Sequence, residues 1–86
     1  MNMIEIGCAV RVSSYHCVKD EITARRNEQG SYSDQIKLVY IGRHDYLIPK
    51  NGFGYDTVDR FVKSSLNIVS TESFRYIKKN GRYRVQ

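Results

Sequence analysis

Cys8, His16, Cys17 and His44 are the four side chains of this chain that could together hold a zinc ion. Tetrahedral thiolate–imidazole sites are usually assembled from close pairs, C-x₂₋₄-C or H-x₃₋₅-H, because a short turn brings both ligands to one point. Neither pair here has that spacing, so no metal is expected. His16 next to Cys17 could activate a thiolate nucleophile, but no residue near them in sequence would orient the imidazole. Asp56 and Asp59 stand at i and i+3, where they favour a helix start over an acid/base pair. No P-loop or dinucleotide-binding glycine pattern occurs, and Gly52-Phe53-Gly54 reads as turn chemistry. These residues predict a chain without catalytic machinery or cofactor.

The remaining chemistry is electrostatic. The net charge is +5, and the chain carries 14 Lys and Arg against 9 Asp and Glu. All nine acids and nine of the bases lie in residues 1–72 and cancel. The whole excess falls in residues 73–86, on Arg75, Lys78, Lys79, Arg82 and Arg84. Such asymmetry marks a local electropositive patch suited to an acidic protein surface or to phosphates.

These residues must be positioned by a small scaffold. Eighty-six residues make one domain, residues 1–86, burying somewhat more than ~60% of the surface of the unfolded chain. Aromatics reach 12%, with seven Tyr and no Trp, which favours strands. The longest apolar run, residues 38–41, is far short of the ~20 residues that cross a bilayer. The start, MNMIEIG, lacks the cationic and hydrophobic regions of a signal peptide. A soluble intracellular, cytoplasmic chain with reduced cysteines and no membrane contact is expected.

Residues 4–12 alternate with period two. Ile4, Ile6, Cys8, Val10 and Val12 share one parity, which predicts a half-buried strand with Cys8 in the core. Residues 14–34 are polar and read as an extended hairpin loop, with a short helix through Val18 and Ile22 as the alternative. Exposed loops of this length often bind partners, which makes Tyr15, His16, Arg25 and Arg26 candidate contacts. Residues 35–41 carry apolar groups on both parities and predict a central strand, followed by a turn at residues 42–45. Asn51-Gly52 predicts a type I′ hairpin joining residues 46–50 to 53–56. Residues 57–66 switch to helical period through Val58, Phe61, Val62 and Leu66, and residues 67–70 read as a brief strand.

The last stretch, FRYIKKNGRYRVQ at residues 74–86, surrounds a second Asn-Gly. A two-residue loop pairs residue 79 with 82, 78 with 83, 77 with 84 and 76 with 85. Phe74, Tyr76, Lys78, Tyr83 and Val85 then share one face, and Arg75, Ile77, Lys79, Arg82 and Arg84 the other. Nucleic-acid grooves mix exposed aromatics with cations. This register separates them, so the aromatic side should close the core while the cationic side supplies charge.

The order of elements predicts a mainly β fold. It fits a small SH3-like barrel, or a highly twisted antiparallel sheet with one short helix and a C-terminal hairpin. The segment VYIGRHDYLIPKNGFGYDTVDRF, residues 39–61, with IGCAVRV at 6–12, resembles small accessory proteins of tailed bacteriophages. The resemblance implies a non-enzymatic protein that inhibits or modulates a host protein or protein–nucleic-acid complex, as anti-CRISPR, anti-defence and transcription-inhibiting phage proteins do. It would act by surface occlusion, through the basic hairpin and the 14–34 loop. A nucleic-acid-binding SH3-like domain that contacts DNA or RNA through the same patch is the alternative, and self-association through an edge strand a third.

Overall fold

The alternating residues 4–12 do form a strand, β1 (Ile4–Val12), and it is the middle of a five-stranded antiparallel sheet. In the computed structural model, which describes residues 4–26, 32–50, 52–64 and 69–86, the chain continues through helix α1 (Tyr15–Arg26) and a 3₁₀ turn (Tyr32–Gln35). Strands β2 (Ile36–Ile41) and β3 (His44–Pro49), helix α2 (Tyr55–Ser64), and strands β4 (Val69–Lys79) and β5 (Arg82–Val85) come next. The strand order is β2-β3-β1-β4-β5. The sheet curls into a half-barrel, so that Lys37 Nζ on one edge strand lies 5.3 Å from the centre of the Tyr83 ring on the other. A register shift between Val10 and Val12 against β4 adds to the twist. This is the twisted-sheet form of the expected mainly β fold, with two helices rather than one. β2 is an edge strand and not a central one.

Both faces of the sheet are apolar over part of their area. On one face Val10, Val12, Ile36 and Leu47 bury against Val18 and Ile22 of α1 and Val58 and Phe61 of α2. On the other, Ala9, Ile41, Tyr46, Ile48 and Tyr76 form a second cluster inside the curl, joined by the half-buried Phe74, Tyr83 and Val85. The rings of Tyr46 and Phe74 meet edge-on at 5.6 Å, which suits their quadrupoles.

Residues 15–26 are helical, not a hairpin loop. The Ser14 carbonyl accepts the Val18 N–H at 3.1 Å and its hydroxyl the Cys17 N–H at 3.5 Å, so the helix start is capped. No Gly or Pro interrupts the stretch, and Glu21 pairs with Arg25 at i,i+4. Only Val18 and Ile22 mark the buried face, which is why the pattern is faint in the sequence.

The hairpin expected at Asn51-Gly52 does not form, although Asn51 itself lies outside the described residues. The Phe53 N–H does bond the Lys50 carbonyl at 3.1 Å, so the chain turns, but it turns into α2 and no strand comes directly after β3. Gly52 has φ +86°, the conformation that the dipeptide encodes. The two-residue reversal between β2 and β3 uses Gly42 and Arg43, at φ 53° and 76°. The brief strand expected at 67–70 lies partly outside the described residues; from Val69 the chain is already in β4.

Cys8 is exposed, as are Ile4 at 56% and Ile6 at 60%. The alternation correctly places them on the parity of Val10 and Val12. The helix-side cluster takes in Val10 and Val12 of that parity but not Cys8, Ile6 or Ile4.

Candidate binding surface

The uncovered part of the helix-side face is where the charge excess lies. The terminal hairpin has the register read from its Asn-Gly: Lys79 opposes Arg82, Lys78 opposes Tyr83, Ile77 opposes Arg84 and Tyr76 opposes Val85. Asn80 and Gly81 hold φ 53° and 76°, the two left-handed residues of a type I′ turn. On its other side β4 pairs with β1, with Ile4 opposite Lys79, Ile6 opposite Ile77 and Cys8 opposite Arg75. Three strands therefore present one lattice of side chains. Lys79, Arg75 and Arg84 flank the half-buried Ile77, Arg82 stands opposite Lys79, and the exposed Ile4 and Ile6 border the patch on β1.

Lys79 and Arg82 are direct cross-strand partners, with Cβ atoms about 5 Å apart as in any such pair, and like charges in that position cost stability. Among the described residues none of the four cations has an ion-pair partner. The surface thus combines unneutralised charge with exposed aliphatic side chains.

Lys78 does not join the other four. It lies on the inner face, with Nζ 3.6 Å from Glu5 and 5.0 Å from the Tyr83 ring centre. Its pKa is raised, first by its hydrogen bond to Tyr83 and then by that group's charge, with Glu5 adding. Tyr76 beside it is also raised above its ordinary value, chiefly by burial.

The loop candidates part company. Tyr15 and His16 are exposed in the first turn of α1, their rings edge-on at 5.3 Å. They come after the Val12 end of β1, whereas the cationic face lies toward its Ile4 end, so the structure does not unite the two groups. Arg26 closes α1. Arg25 is internal: it donates to Glu21 at 2.6 Å and to the Ser64 hydroxyl and carbonyl at 2.6 Å each, and its guanidinium lies 4.6 Å from the Phe61 ring centre. It ties α1 to the C-terminal end of α2, where a cation is favoured by the helix dipole.

Replacing Arg25 by Met, which keeps the stem and removes the donors, is expected to cost about 2 kcal/mol in urea denaturation, as charged hydrogen bonds do. Glu21→Gln should cost under about 0.5 kcal/mol, as an i,i+4 pair does. Equal costs for the two would mean that the Ser64 bonds contribute nothing.

Sequence reasoning missed Ile4 and Ile6 as surface residues, because alternation looks the same whether or not a second layer covers it. Cys8 and Cys17 are free thiols, and no group of three or more His, Cys, Asp and Glu side chains among the described residues could hold a metal ion. No helix among them is long and apolar enough to cross a membrane. The stretch 39–61 is strand–turn–strand only as far as Pro49, and then becomes α2. No family model matches the chain, and no curated protein or solved structure matches it.

Proposed function

We propose that this chain is a small non-enzymatic binding protein that occludes an acidic macromolecular surface through the outer face of its terminal hairpin. The observation that carries the reading is the cross-strand Lys79–Arg82 pair, set with Arg75 and Arg84 on an uncovered face. A like-charge juxtaposition that weakens the hairpin is offset when an anionic partner covers it. The aliphatic strip of Ile4, Ile6 and Ile77 beside the cations favours a protein target, since a bare phosphate lattice has no use for it. The resemblance to phage accessory proteins, kept by the β2–turn–β3 part of residues 39–61 and by the strand at residues 6–12, supports a host complex as that target.

Pull-down from a bacterial lysate tests this. Wild type should retain an acidic protein or complex, and Arg75/Lys79/Arg82/Arg84→Glu should lose it while keeping the β-sheet circular dichroism signature. An unchanged set of captured partners rejects the hairpin as the contact. Nuclease-sensitive capture, with direct oligonucleotide binding that falls steeply with salt, replaces the reading with nucleic-acid binding through the same face.

A further inference from the structure

A second feature lies where the sheet splits. β1 pairs with β3 only through Val10 and Arg11. Continued, the same register would set Cys8 opposite Pro49, which has no N–H to give and ends β3. The strands diverge there, and residues 5–8 of β1 have no strand partner on that side among the described residues. An open cleft of about 530 Å³ fills the gap, within the size range of specific ligand sites, roughly 300–1,000 Å³. One wall is residues 5–8; the other includes Pro49, Lys50, Gly52 and Phe53, and Lys37, Tyr76 and Tyr83 also line the cleft.

Every second residue of an unpaired strand edge turns its N–H and C=O toward whatever lies beside it. That is the recognition element for an extended peptide, which gains main-chain bonds from the edge and specificity from pockets for alternate side chains. The charge selects among peptides. Lys37 and Lys50 both line the cleft, while its one acid, Glu5, is already paired with Lys78 at 3.6 Å. Phe53, 44% exposed, offers an apolar contact. A stacked base is disfavoured, because the Tyr83 ring has the ammonium groups of Lys37 and Lys78 at 5.3 and 5.0 Å and Tyr76 lies against the Gly7 backbone.

We propose that this cleft takes an extended acidic peptide segment of a partner protein, added as a strand along residues 5–8. The site shares Ile6 with the cationic outer face but none of its four cations, and it stands or falls without them. The probe is a labelled peptide of alternating Glu and Val, tested beside its Lys-Val counterpart and an oligothymidylate at low salt. The Glu-Val peptide should bind, and amide exchange at alternate positions within residues 5–8 should slow. N-methylation of every second peptide residue, in one of the two possible phases, should abolish both effects. Lys37→Glu with Lys50→Glu should weaken Glu-Val binding by about tenfold or more and favour Lys-Val, as reversing close charge pairs does. Arg75/Lys79/Arg82/Arg84→Glu should retain strand protection at residues 5–8. No Glu-Val binding, binding without new amide protection, or displacement of the peptide by oligothymidylate overturns the proposal.

Discussion

Phe61→Ala should remove about 3–5 kcal/mol of folding stability, most of what a domain this small possesses. Phe61 is fully buried in α2 and belongs to the cluster that joins both helices to Val10, Ile36 and Leu47 of the sheet. Val58 and Phe61 seat α2 in that cluster, and Tyr55 adds a 2.6 Å hydrogen bond to Ser73 of β4, so α2 is held at more than one point and a cavity at Phe61 cannot be closed by a shift of one side chain. The same ring carries the Arg25 guanidinium at 4.6 Å, and the truncation also loosens the tie between α1 and the end of α2. In urea denaturation the midpoint should fall far enough to leave a measurable unfolded fraction in buffer. Tyr40→Ala, at a position 69% exposed, should stay within about 0.5 kcal/mol of wild type. A loss of under about 1 kcal/mol for Phe61→Ala would mean that α2 rests on the sheet without packing into it.

The two Asn-Gly dipeptides explain how much of the architecture could be read in advance. At residues 80–81 the dipeptide joins two β-rich arms, and its demand for two positive φ values sets the pairing of all four cross-strand pairs. At residues 51–52 the same dipeptide encodes a turn, but residues 55–64 decide which element the turn leads into. There the helical spacing of Val58, Phe61 and Val62 outweighs a strand partner for Tyr46 and Ile48. A turn signal specifies the reversal, not the element on its far side. β1 teaches a related lesson. Period two identifies which side chains share a face, and it put Ile4, Ile6 and Cys8 with Val10. Whether that face is roofed depends on helix length and position, which are tertiary facts. The cationic candidates were legible because charge is visible in sequence and register is local. Their aliphatic neighbours on β1 and the cleft beside Pro49 arise from strand order, which no local pattern carries. Arg25 shows the opposite error: a charge in a polar stretch looks available, yet it is engaged by Ser64.

Gly7→Ala should cost about 1–3 kcal/mol, the usual penalty for forcing one methyl into a filled core. Ala is ordinarily the better residue in a strand, by roughly 0.5–1 kcal/mol, because glycine loses more backbone freedom on folding. The backbone at Gly7 gives no reason to reverse that preference, since it is not among the positive-φ glycines. The reason is Tyr76. Gly7 and Tyr76 are cross-strand partners, and a Cβ on Gly7 would lie 2.7 Å from the Tyr76 hydroxyl oxygen and 2.8 Å from two ring carbons. The ring cannot easily swing aside: it is 7% exposed, tilted against Tyr83 at 5.7 Å, and part of the inner cluster with Ala9 and Ile48. The clash should therefore outweigh the entropic gain in the wild-type background. In a Tyr76→Val background the ring is gone and the same substitution should become neutral or stabilising. The double-mutant cycle then shows a coupling of at least about 1 kcal/mol, as expected for residues in direct contact. If Gly7→Ala costs the same with and without the tyrosine ring, the inner face of the curl is not packed as described.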